Sequence, residues 1–149
     1  MPDINQILTV MIGLQHLHSF LPYFIFLFLV LALVRSIPGW LGNKPYTVGD
    51  KRIGLFALIF SHTQFLVGFA LYFMEGRMDG LGNMSDATVR LYSLEHPLMM
   101  IIAIILITIG HSKSKKLTDP TAQHKTKAIF FGLALLIALS RVPWSAWLN

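Results

Sequence analysis

The chain is 149 residues long, 54% hydrophobic and only 13% charged, with a mean hydropathy of +0.62 and a formal net charge of +5. An ordinary soluble domain is about a quarter charged, so this composition argues against a water-soluble globule, a disordered chain or a coiled coil, and points to helices embedded in lipid. There is no cysteine, which excludes disulfides, thiolate metal sites, Cys nucleophiles and thioether-linked haem; in so apolar a chain the basic excess is expected to orient the protein in a bilayer, not to bind nucleic acid.

Four segments meet the length of about 20 mostly apolar residues that a membrane helix needs: 17–37, 53–74, 91–110 and 127–147. They fill the chain as a single transmembrane domain. The expected fold is all-α, an integral membrane up-down four-helix bundle. An amphipathic prefix, 4–17, leads into the first span along the surface or as an extension of its helix. The opening MPDINQ has no basic stretch of the signal-peptide kind, so the first span is expected to be retained. Pro38, Gly39 and Gly42 are expected to end that span, with Pro45 in the loop beyond. Gly76, Gly80 and Gly82 punctuate the second loop, Ser85 is a plausible cap for the third helix, and Pro120 marks the third loop. Pro22, Pro97 and Pro143 fall where helix is expected, and each frees a backbone carbonyl one turn earlier. For Pro22 that carbonyl belongs to His18.

Arg35, Lys44, Lys51 and Arg52 flank the first loop, and Lys113, Lys115, Lys116, Lys125 and Lys127 the third, so nine of the twelve basic residues share one side. The positive-inside rule puts that side in the cytoplasm and both termini outside, as in a bacterial inner membrane protein. Trp144 and Trp147 then belong to the outer interfacial belt and Trp40 to the inner one.

Ionisable groups at membrane depth are costly and call for an explanation. His16 and His18 open the first span, His62 lies in the second, Glu95 and His96 in the third, and Arg141 in the fourth; His111 and His124 are expected to be solvated at the basic boundary. Counting about 1.5 Å per residue, His18 lies about 25 Å above Arg35, His96 about 22 Å above His111 and Arg141 about 21 Å above Lys127, with His62 only about 15 Å above Arg52. His18, His96 and Arg141 therefore share a level near the outer face. Two neutral histidines facing across a bundle can ligate one b-type haem iron without burying charge. An arginine beside them can pair with a propionate, or with Glu95. His62 is an alternative ligand to His18, so the iron would take two of the three. Gly54, Ser61 and Gly68 form a small-residue seam on the second helix, and His62 projects about 100° away from it.

The segments HLHSFLPY (16–23), SHTQFLVGFALYF (61–73), RLYSLEHPLMMIIAI (90–104) and SRVPWSAWL (140–148) resemble those of small bacterial four-helix membrane proteins of cytochrome b-like type. The resemblance covers nearly the whole chain, and LEHP and RxPW are its more distinctive pieces. It implies haem b, with His18, His62 and His96 as ligand candidates and Arg141 beside them. Electron transfer between a quinol and another redox partner follows as the leading expectation. Copper handling by the same histidines with Met78, Met84, Met99 and Met100 is a second expectation. A structural or assembly subunit of a membrane complex, or an oligomer, is a third. Hydrolysis is not expected, since neither HExxH nor a glycine-rich phosphate loop occurs.

Overall fold

The protein is described here by a computed structural model covering residues 3–147. Among these residues there are helices and no strands. Four helices are long: α1 (Ile4–Leu41), α2 (Val48–Met74), α3 (Ala87–Lys116) and α4 (Pro120–Ser140). A short α5 (Trp144–Trp147) follows. Of the long ones, α1, α2 and α3 are each long and apolar enough to cross a membrane.

The chemistry at the helix ends explains where they start and stop. The prefix of α1 continues the helix, begun at Asp3 by a capping box with Gln6. Pro38 does not end α1; the helix runs one further turn to Leu41 and closes at Gly42. The first turn of α2 is fixed by Thr47, whose hydroxyl accepts from the Asp50 backbone while Asp50 reaches back to Thr47. Asp86, not Ser85, caps α3, because its carboxylate accepts from both Thr88 and Val89 backbone N–H groups. Pro120 lies within the first turn of α4, behind an Asp119 cap. The fourth expected span, 127–147, is broken: α4 ends at Ser140, and Pro143 stands before α5. The apolar part of α4 is consequently shorter than that of the other three.

Helix α1 packs on α2 and α4, and α3 packs on α4 and α2, which closes a ring of contacts. Small residues fill much of the interior. Ala32, Ala57, Ala103, Ala134 and Ala138 are buried together with Leu29, Ile107 and Phe131. Gly110 marks a tight crossing of α3 with α4, since a Cβ there would stand 2.6 Å from Cβ of Phe130. Large side chains such as Leu66, Phe69, Ile105 and Leu136 face outward. Small inside and large apolar outside is the packing that hydrocarbon surroundings favour, because lipid gives no drive to hide leucine and close helix contact becomes the source of cohesion.

Candidate functional site

Two polar layers interrupt the apolar interior, one at each end. The layer at the end opposite the basic loops is built around His18 and His96. Pro22 leaves the His18 carbonyl without its helical donor, and Gln64 of α2 supplies one at 2.9 Å. Trp147 donates its indole N–H to the next carbonyl, Ser19, at 2.7 Å. Helix α1 is thereby tied on both sides at the level of His18. The His18 ring lies over Gly68, where a Cβ would stand 2.7 Å from its Cε1.

His96 is positioned by a different device. A π-helical turn, Leu91–Glu95, precedes it and Pro97 follows it. Pro97 cannot donate to the Ser93 carbonyl, and the Tyr72 hydroxyl does so at 2.9 Å. The His96 ring donates from Nδ1 to the Arg141 carbonyl at 2.9 Å, which holds Nε2 unprotonated with its lone pair available. The two rings meet edge to face, with centroids 6.2 Å apart and planes at 77°. His18 Nδ1 is buried without a hydrogen-bond partner.

The other residues expected at this level divide. Arg141 is present, 3.3 Å from Glu95, which also pairs with Arg90 at 2.8 Å. Glu95 therefore accounts for the nearby guanidinium. His62 is not brought to the pair: it is exposed on α2, and its Nδ1 bonds the Leu58 carbonyl of its own helix at 2.8 Å. His16 is exposed as well. At the rim, Glu75 accepts from Gln15 and Arg77 at 2.8 Å each. Burial works against the Glu75 charge, yet these hydrogen bonds outweigh it and hold the carboxyl below its ordinary range.

Two imidazoles from different helices can share one ion. With metal–nitrogen bonds of about 2.0–2.1 Å, their ring centroids stand roughly 6 Å apart. The His18–His96 spacing lies near that figure, and the pair offers two ring nitrogens that no protein donor occupies, Nε2 of His96 and Nδ1 of His18. Among the described residues, no group of three or more His, Cys, Asp or Glu gathers where it could hold a metal by itself.

The layer at the basic end was not legible as a site. His124 is 2% exposed, against the solvated position expected for it, and Lys127 is 1% exposed. The Lys127 ammonium donates to the Asp50 carbonyl and lies 4.8 Å from the Tyr46 ring centre. Arg35 binds the Asp50 carboxylate at 2.6 Å. His111 Nδ1 and His124 Nδ1 are buried without partners. Glycines make the room here too: a Cβ on Gly54 would meet Lys127 Nζ at 2.7 Å and His111 Nδ1 at 3.0 Å, and one on Gly39 would stand 2.6 Å from the His124 ring. The Gly54–Gly68 seam therefore receives polar side chains at both ends. The only signal for this layer in the sequence was the glycines; which histidine each receives depends on the packing of separate helices.

No protein-family model, curated protein or solved structure matches the chain.

Proposed function

We propose that this chain is an integral membrane, up-down four-helix bundle of the cytochrome b-like kind, which holds one b-type haem and passes electrons between a quinol and a second redox partner. In this reading the basic end faces the cytoplasm of a bacterial cell and both termini lie outside. The observation that carries it is the His18–His96 pair, two imidazoles from different helices with centroids 6.2 Å apart. His18 and His96 would hold the iron; His62, exposed on α2, would not. Haem would supply one-electron chemistry. The protein's contribution is positional. Gln64 and Trp147 fix the backbone under His18, the Arg141 carbonyl sets the His96 tautomer, and the Arg90–Glu95–Arg141 cluster leaves one net positive charge at this end.

The test is a reduced-minus-oxidised spectrum of protein produced with ample haem. A b-type band is expected for the unmodified chain and for His62→Ala, with loss of the band in His18→Ala and in His96→Ala. No band in the unmodified protein would overturn the proposal. Stoichiometric copper in such a preparation would favour the metal-handling reading. Unimpaired cellular function with glutamine at both 18 and 96 would favour a structural subunit.

A further inference from the structure

We propose that the basic end carries a binding site for the phosphate headgroup of an anionic phospholipid, set in the cavity between α1, α4 and the loop that follows α1. The cavity measures about 240 Å³ and is lined by Val34, Arg35, Pro38, Lys44, Asp50 and His124, among others. That is several times the volume of a water molecule, about 30 Å³. This inference rests on the membrane reading above but not on the haem.

The lining has the chemistry of an anion site. Asp50 is already satisfied: one carboxylate oxygen takes Arg35, and the other takes the Thr47 hydroxyl and backbone N–H. Lys44 has no ion-pair partner among the described residues. His124 uses Nε2 on the Pro45 carbonyl at 3.3 Å, while its Nδ1 remains a buried polar atom without a partner. Such an atom carries a desolvation cost that a ligand's hydroxyl donor would relieve. Behind the lining, Lys127 adds a buried ammonium close to Asp50 with no carboxylate in contact. The site thus offers a guanidinium and a free ammonium to phosphate oxygens, and the acceptor nitrogen of His124 to a headgroup hydroxyl.

Lipid, and not a free ion, is favoured by what borders the cavity. Val34 belongs to its lining and is 62% exposed. Leu27, Val30 and Leu31 extend the exposed apolar surface of α1 away from the basic end. A headgroup in the cavity would leave its acyl chains along that surface. Basic pockets between membrane helices on the cytoplasmic side are established sites for anionic lipid.

Native mass spectrometry of the full-length protein in neutral detergent tests this, with equimolar phosphatidylglycerol and phosphatidylcholine as probes. One phosphatidylglycerol should be retained in preference to phosphatidylcholine. Lys44→Glu, an exposed change that spares the core, should weaken retention about fivefold to tenfold. Lys116→Glu, at the same end but outside the cavity, should not. Equal retention of the two lipids would overturn the site, and so would equal loss in the Lys44 and Lys116 variants, which would mean diffuse charge attraction. Displacement of the lipid by millimolar inorganic phosphate would also overturn it, in favour of a free-anion site. Protein that inserts into membranes and keeps its haem band without a headgroup preference defeats this inference alone.

Discussion

His18 and His96 owe their positions to groups that are not histidines. Each ring is set by a backbone carbonyl, a proline-adjacent turn or a glycine on a neighbouring helix. Nearby, Glu75 links Gln15 of α1 to Arg77 beyond the end of α2. Because its folded value is depressed, its contribution to stability is fully present above the ordinary 4.5 and is lost as pH falls through the folded value. Melting temperature should therefore fall on acidification more in the unmodified protein than in Glu75→Gln, which lacks this titration. Equal acid sensitivity in the two would remove Glu75 from the account. The depth count brought His18, His96 and Arg141 to one level, and the structure has them there. It could not identify Glu95 as the arginine's partner over a propionate, since both readings need the same guanidinium in the same place. His62 was ambiguous because depth alone does not fix which way a side chain points. Its angle from the Gly54–Ser61–Gly68 seam was the better guide.

At the scale of elements, proline organises the helices. The carbonyls that Pro22, Pro97 and Pro143 leave without their helical donors belong to His18, Ser93 and Leu139. They accept from Gln64, Tyr72 and Trp144 at 2.9, 2.9 and 3.2 Å. The freed carbonyls could be read from the sequence by counting back four residues. The first two donors could not, because Gln64 and Tyr72 reach them from another helix. Tyr72→Phe should destabilise the protein by about 1–2 kcal/mol, the cost of leaving a buried carbonyl unpaired. In a Pro97→Ala background the restored N–H makes the tyrosine dispensable, so the second loss should be much smaller. Unfolding free energies for the four members of that double-mutant cycle provide the check; additive losses would sink the capping account. The same counting failed for the fourth span. Its apolar run extends toward Trp147, but the helix closes at Ser140, since Pro143 denies the backbone a donor.

At the scale of the molecule, composition and spacing were enough to give an all-helical chain with helices long enough to cross a membrane. They could not give the basic-end layer, because a lysine beside a loop reads as a solvated charge until a neighbouring glycine makes room for it. Lys127 and His124 are such cases. The absence of cysteine makes orientation directly measurable. In intact cells an impermeant maleimide should label Asn83→Cys, and it should reach Lys44→Cys only after the membrane is opened. Labelling of both from one face would reject the proposed topology.

Three of the imidazoles rest against positions that have no side chain: His18 against Gly68, His111 near Gly54 and His124 against Gly39. A methyl added at Gly68 or Gly39 would displace the ring across the helix boundary, whereas one at Gly54 would meet the Lys127 ammonium first. Inheritance must therefore treat each histidine and its socket as one unit spread over two distant stretches of the gene. An alanine at Gly68 or Gly39 calls for a smaller residue in place of the facing ring, so a histidine's placement can be lost through a change at a position that has no side chain.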